Sequence, residues 1–219
     1  MTKKAKQPWP TKDAMNQIYD MKLWGGKGLD FYSGEGSHNP DIINPYIKAV
    51  ISFLNAFAEN LIVCDLGCGD FNIGKHLVKH ANKYIAVDIV EDLINRNRKL
   101  FKVDNLEFHA LDISKEELPK ADCIIIRQVL QHLSNTEIEN TVKKLTNYKY
   151  IILTEHIPNE SFIPNKDIIS GQGIRLKQHS GVNLLETPFN LEVKEQKILN
   201  EYVFKENKGR IVTALFIMS

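Results

Sequence analysis

Apolar and polar positions between residues 61 and 153 alternate between two periods. Leu61 to Leu66, Tyr84 to Val87, Leu106 to Ala110, Ile124 to Ile126 and Tyr150 to Leu153 are short apolar runs of the kind that form buried strands. Segments of helical period separate them. Ile73, Leu77 and Val78 share a face over about Asn72 to Ala81, and Glu91 to Leu100 has acidic residues in its first turn, as a helix start prefers. Ser134, with Glu137 three residues on, forms a capping box for a helix reaching about Thr146. This alternation predicts βαβ units and a parallel sheet. Ahead of the first strand, Ile43, Ile47, Val50, Ile51 and Leu54 predict an amphipathic helix over Pro40 to Phe57.

After the fifth strand the alternation stops. Ile157 to Asn190 holds three prolines, three glycines and no sustained period, which predicts a long binding loop. Lys197 to Phe204 and Arg210 to Met218 then read as two strands of a hairpin, so the chain ends antiparallel. The expected division is a lid-and-helix extension over 1–58 and one main domain over 59–219, with the substrate loop at 157–190.

Composition narrows the classes. A chain of 219 residues with 43% hydrophobic content supports one substantial core rather than two full domains. Its 28 Lys and Arg against 27 Asp and Glu give a formal charge of +1, so no gross basic excess is present to neutralise a phosphate backbone. No nucleic-acid partner is expected. Cys64, Cys68 and Cys123 are odd in number and set in apolar runs, which reads as reduced thiols. The lysines near the N-terminus precede no apolar stretch, and no run approaches the ~18 apolar residues of a spanning helix. A cytoplasmic protein without a membrane partner is expected.

The segment Val63-Cys64-Asp65-Leu66-Gly67-Cys68-Gly69-Asp70 carries the chemistry. A buried strand delivers a carboxylate and then a Gly-x-Gly turn, where a ligand can lie against bare backbone at a helix start. A dinucleotide fingerprint would place a glycine where Asn72 stands, and Gly74 arrives two residues late. Asp65 ahead of the glycines opposes a pyrophosphate and favours a positive centre such as an amino group or a sulfonium. Nineteen residues after Gly69, Asp88 ends the second strand, with Ile89 beside it. A carboxylate there can accept both hydroxyls of a ribose. Asp112 follows the third strand and can accept from an adenine amino group while Ile113 offers a backbone N–H.

With these residues in place, the sequence resembles the class I S-adenosylmethionine-dependent methyltransferases over about Leu61 to Leu153 and the terminal hairpin. Asp65-Leu66-Gly67-Cys68-Gly69 is similar to the family's first motif, Asp88 to its ribose acid, Leu111-Asp112-Ile113 to its adenine motif, and Arg127 to Leu133 to its segment after the fourth strand. The resemblance implies an α/β, Rossmann-like, seven-stranded and mostly parallel sheet, with helices on both faces and a C-terminal antiparallel hairpin. It also implies S-adenosylmethionine as cofactor and direct displacement at the sulfonium methyl. Two departures stand out. No clear helix follows the fifth strand, and no Asn-Pro-Pro-Tyr type motif lies at Arg127, so methylation of nucleobase or glutamine amino groups is not implied.

Candidate roles follow. His132, just past the fourth strand, is the first candidate for a base, and packing is its other reading. Glu155 and His156 come next on the same edge. Trp24 is expected to pack over the donor, and Tyr32, Ser37 and His38, in the glycine-rich segment Trp24 to His38, to touch donor or acceptor from a lid. A surface loop tethered by its aromatics is the alternative. Arg127, Arg175, Lys177 and His179 could clamp a phosphate or carboxylate on the acceptor, unless the last three form a solvated basic strand. His76 and His80, and Cys64 with Cys68, lack the partners of a metal site, and no metal is expected. The favoured reading is methyl transfer, by preference to oxygen, on a small and anionic metabolite or a sugar. The alternatives are a non-catalytic S-adenosylmethionine-binding regulatory module and a nicotinamide-dependent oxidoreductase. No motif specifies the acceptor or the oligomeric state.

Overall fold

A computed structural model describes residues 8–219. The first seven residues, which open the expected extension and hold Lys3, Lys4 and Lys6, lie outside the described residues.

In chain order the elements are α1 (Thr11–Asp20), α2 (Pro40–Leu54), β1 (Ile62–Leu66), α3 (Gly74–Leu77), β2 (Lys83–Asp88), α4 (Glu91–Leu100), β3 (Leu106–Ala110), β4 (Cys123–Arg127), α5 (Asn135–Leu145), β5 (Tyr150–Ile157), β6 (Glu195–Val203) and β7 (Arg210–Ile217). The seven strands form one sheet in the order β3-β2-β1-β4-β5-β7-β6. Strands β1 to β5 pair in parallel, whereas β7 pairs antiparallel with both β5 and β6. This is the Rossmann-like sheet with an antiparallel end that the sequence predicts. From β1 the chain runs outward to β2 and β3, then returns to place β4 on the other side. That reversal opens a crevice at the carboxyl ends of β1 and β4, where open α/β sheets bind ligands.

The continuous apolar strands are explained by cover on both faces. On one face Cys64, Ile85, Ile124, Ile126 and Ile151 pack with Ile138, Val142 and Leu145 of α5. On the other, Val63, Tyr84, Ile125 and Ile152 pack with Tyr46, Val50 and Leu54 of α2, Phe71, Leu77 and Ile94. Segment 157–190 contains only the short turn Arg175–Gln178. It nevertheless buries Val182, Leu184 and Phe189, followed by Leu191, against the first face. A plug of irregular chain thus takes the place of a helix after β5.

Two helices depart from the expectation. The helix read over Asn72 to Ala81 is one α-turn, α3, continued by a tighter turn at Val78–His80. It ends because Asn82 N already donates to Leu61 O at 2.9 Å, which commits the chain to β2. Helix α1 has no counterpart in the reading above. Its Met15, Ile18 and Tyr19 pack on Val90 and Leu93, so it lies over the start of α4. Among the described residues, no helix is long and apolar enough to cross a membrane.

Ser134 and Glu137 form the capping box expected at the start of α5. The Glu137 carboxylate also accepts from the hydroxyls of Thr11 and Ser170, tying α1 and the irregular segment to the same helix end. Ser134→Ala should therefore cost about 1 kcal/mol, and Glu137→Ala more, as read from urea unfolding.

Candidate active site

The glycine turn after β1 is the corner from which the crevice is built. Gly67 N and Cys68 N both donate to Val87 O, at 2.8 and 2.9 Å, pinning the turn to the end of β2. Gly67 has φ +82° and Gly69 φ +55°, in the left-handed region that favours glycine. A Cβ on Gly67 would stand 2.3 Å from Val129 Cγ2, and one on Gly69 would stand 2.3 Å from Ser33 Oγ. Asp88 accepts from Gly69 N at 3.1 Å and from Val90 N at 3.0 Å, while Asn97 Nδ2 donates to Gly69 O at 2.8 Å. Burial raises the Asp88 carboxyl above its ordinary range, against the pull of those amides.

Around this turn lies a cavity of about 340 Å³, within the size range of small-molecule sites. Trp24, Ser37, Gly67, Cys68, Gly69, Asp88, Ile89, Asp112, Ile113, Arg127 and His132 all line it. Asp112 accepts from Ser114 N and Oγ, at 3.0 and 2.7 Å, and faces Lys115 Nζ at 2.9 Å. Burial pushes this carboxyl up, but Lys115 and Ser114 together outweigh it and hold the group below its ordinary value. Thr11 and Met15 of α1 close the same end of the cavity.

The other end is formed by the chain after β4. Arg127 donates to Gly36 O at 2.5 Å and to Ser37 Oγ at 3.2 Å, and its guanidinium lies 4.8 Å from the ring centre of Tyr46. Gln128 follows with φ +56°, an uncommon conformation for a residue with a side chain. His132 sits on the short turn Leu130–His132, with Nδ1 3.1 Å from Gly171 O and its ring 5.2 Å from that of Trp24. A carbonyl only accepts, so Nδ1 carries the proton and Nε2 is left as an acceptor. Burial drives the His132 pKa down to about 4.

The segment from Ser33 to His38 is latched over the turn. Ser33 N and His38 Nε2 meet Asp70 Oδ2 at 3.0 and 2.6 Å, Asp70 N donates to Ser33 Oγ at 2.8 Å, and Asn72 Nδ2 donates to Ser37 O at 2.7 Å. Tyr32 stacks on His38 at 4.3 Å. Tyr32 and His38 thus fasten the segment, and neither is in the cavity wall.

Five other candidates stand away from the cavity. Asp65 points under the sheet edge and accepts from Tyr84 OH at 2.9 Å. Burial raises it to about 7, against that bond. Glu155 is buried, with neither oxygen hydrogen-bonded. His156 stacks on Phe204 at 4.7 Å, and its Nε2 lies 2.8 Å from Lys208 O, closing the terminal hairpin. Arg175 is 1% exposed and spends its guanidinium on backbone carbonyls and Asn135, so it presents no charge to an acceptor. His179 lines a separate hollow beside Pro158 and Lys208. Among the described residues, no group of three or more His, Cys, Asp or Glu could hold a metal ion.

The wall also contains residues the sequence reading passes over: Thr11, Met15, Tyr19, Gln128, Gln131, Gln172 and Ile174. The period of Thr11, Met15, Ile18 and Tyr19 behind Pro10 could have revealed the first three. Nothing local marks the glutamines.

Comparison with known proteins agrees with this geometry. The family model described as "Methyltransferase domain" matches residues 57–206. The chain therefore belongs to that family, the class I S-adenosylmethionine-dependent methyltransferases. No curated protein matches the sequence at a significant level. Among solved structures, the N-methyltransferase NodS from Bradyrhizobium japonicum WM9, in complex with S-adenosyl-L-homocysteine, is similar at a TM-score of 0.66 and 13% identity, covering 94% of this chain and 100% of its own. Magnesium protoporphyrin IX methyltransferase from Synechocystis PCC 6803, with the same compound bound, is similar at 0.60 and 15%, covering 96% and 100%. Human N-acetylserotonin methyltransferase in complex with S-adenosylmethionine is similar at 0.59 and 16%, covering 96% and 60%.

Two outcomes follow. Gly67→Ala should cost at least about 2 kcal/mol, from its left-handed backbone and the clash with Val129. Gly173→Ala, whose added carbon meets nothing within 4 Å, should cost far less in the same urea titration. Asp65 is raised from 3.8 to about 7, so its contribution to stability is complete below 3.8 and is lost as pH rises through 7. Asp65→Asn should accordingly flatten the decline of thermal stability between pH 4 and 7.

Proposed function

We propose that this chain transfers a methyl group from S-adenosylmethionine to a small polar acceptor. The observation that carries the reading is the Asp88 carboxyl held by the Gly69 and Val90 amides beside a side-chain-free turn. The residues fit the cofactor. Asp88 keeps lone pairs for two ribose hydroxyls, Gly67 to Gly69 admit the amino-acid portion against bare backbone, and Ile89, Asp112 and Ile113 bound an adenine slot beneath Met15. When bound, the cofactor supplies a sulfonium methyl open to displacement by an acceptor oxygen, nitrogen or carbon.

The protein's own contribution is orientation and exclusion of water. The extension ahead of a domain over 59–219 supplies a cap: α1 and the latched Ser33–His38 segment cover the cavity, and Trp24 fills its side, while α2 covers the sheet. Alignment of two bound reactants can by itself be worth effective molarities of ~10⁵ M or more. His132, neutral at physiological pH, accepts a hydrogen bond at Nε2 from the acceptor once that acceptor displaces Gln131 Nε2, which lies 3.3 Å away. With a pKa near 4 it orients a hydroxyl and takes its proton only from an acidic one. We favour oxygen, because a hydroxyl can donate to Nε2 and still turn a lone pair toward the sulfonium methyl.

Of the basic residues proposed to meet an anionic acceptor, Arg175 is committed to backbone and lies outside the cavity wall, whereas Arg127 lines it with Nε unpartnered, so an anionic group on the acceptor would meet Arg127 alone. Gln128, Gln131 and Gln172 in the wall suit a neutral polar molecule. Two of the similar structures are named for small molecules, magnesium protoporphyrin IX and N-acetylserotonin, which supports a small acceptor. The three free thiols fit a reducing compartment such as the cytoplasm.

Calorimetry tests the reading. S-adenosylhomocysteine should bind and NAD should not. Asp88→Ala should weaken binding by roughly 10- to 100-fold, the loss expected for hydrogen bonds to a charged group. NAD binding with no response to S-adenosylhomocysteine would favour the oxidoreductase alternative.

A further inference from the structure

Two pieces of chain cover the cavity, and they are held in different ways. Helix α1 is anchored by Met15, Ile18 and Tyr19, which are buried with Val90 and Leu93. The strap from Ser33 to His38 has no such anchor. None of its residues is buried, although Ser33, Gly34, Gly36 and Ser37 all line the cavity. A segment with little apolar burial opens locally at small cost while its better packed neighbours stay closed.

What holds the strap is polar, and its two ends converge on one residue. Asp70 is 6% exposed, and its Oδ2 accepts from Ser33 N at 3.0 Å and from His38 Nε2 at 2.6 Å, so a single atom grips both ends. Asp70 N also donates to Ser33 Oγ at 2.8 Å, and Asn72 Nδ2 donates to Ser37 O at 2.7 Å. Arg127 adds its bonds to Gly36 O and Ser37 Oγ, and Tyr19 OH lies 3.1 Å from Ser33 Oγ. Within the strap Gly34 supplies a pivot: its φ is +86°, and a Cβ there would meet nothing closer than Trp24 Cβ at 3.8 Å.

We propose that the Ser33–His38 strap is the gate through which the cofactor enters and leaves, and that Asp70 with His38 is the latch that keeps it shut. The gate rests on the cofactor reading above, which seats the amino-acid portion of the ligand against Gly67 to Gly69. Ser33 Oγ stands 2.3 Å from where a Cβ on Gly69 would be, so the strap lies directly on that seat. Asp70 and His38 themselves are outside the cavity wall. They therefore act on the strap and not on the ligand. Capture of a ligand scales with the fraction of molecules whose gate is open, so a latch that favours the closed form slows entry and exit together.

The test is kinetic and uses the full chain with S-adenosylhomocysteine. Stopped flow follows the fluorescence of Trp24, which lines the cavity, and the slope and intercept of the observed rate against concentration give association and dissociation. Asp70→Ala removes the whole latch. His38→Phe keeps a ring on Tyr32 and removes one bond, whereas His38→Gln keeps a donor for Asp70. Association should become about tenfold faster or more in Asp70→Ala and His38→Phe, the change expected for losing a hydrogen bond to a carboxylate. Dissociation should quicken with it, and His38→Gln should stay within about threefold of wild type. A merely structural role would speed dissociation alone. If Asp70→Ala does not fold, the two His38 variants decide the matter. Association unchanged or slower in His38→Phe overturns the proposal. Failure of the wild type to bind S-adenosylhomocysteine overturns the proposed function instead; hydrogen exchange over residues 31–39, which needs no ligand, then judges the latch, and exchange no faster in His38→Phe than in wild type overturns it.

Discussion

Two successive amides, Gly67 N and Cys68 N, share the carbonyl of Val87, and the next glycine is held by the carboxyl of Asp88. This corner joins the ends of two adjacent parallel strands without a side chain in the way. Val129 and Ser33 approach to distances that any Cβ would occupy. The cavity takes its shape from that approach, because the chain after β4 and the N-terminal segment both close on the glycine backbone. A ligand entering here meets side-chain-free peptide edges and the Asp88 carboxyl, the amides of the corner being already paired.

The site is also notable for how its charges are arranged. Asp88 is met by amides, Asp112 by Lys115 and Ser114, Arg127 by Gly36 and Ser37, and Arg175 by carbonyls. Buried charges are tolerated only with such partners. Beside Arg127, the cavity wall near His132 is neutral: glutamine amides, an uncharged imidazole and the Trp24 ring. The irregular segment 157–190 serves this arrangement in two ways, covering one face of the sheet with Val182, Leu184 and Phe189 and sending Arg175 under the histidine turn.

Much of the fold was legible because its signals are local. Continuous apolar runs such as Ile124 to Ile126 can be satisfied only by a strand covered on both faces, and the capping box at Ser134 marks its helix start without reference to the rest of the chain. That Gly67, Asp88 and Asp112 would line one cavity was legible for the same reason, since topology puts the strand ends on one edge. Reading failed where the determining contact is distant. Arg175, Lys177 and His179 alternate like an exposed basic strand, yet Arg175 is buried by carbonyls more than forty residues earlier in the chain. Asp65 looks like a ligand group in the sequence, with no sign that Tyr84 OH, from the neighbouring strand, is bonded to one of its oxygens. Helix α1 is different: its period was present in Met15, Ile18 and Tyr19, but its short length beside a glycine-rich stretch masked it.

The most direct measurement is a crystal structure of the protein grown with S-adenosylhomocysteine. The account requires the ribose hydroxyls on the Asp88 carboxyl, the adenine beside Ile113, and the sulfur turned toward the end of the cavity that holds His132. Density for the compound elsewhere, or a crevice that stays vacant at saturating concentration, would contradict it.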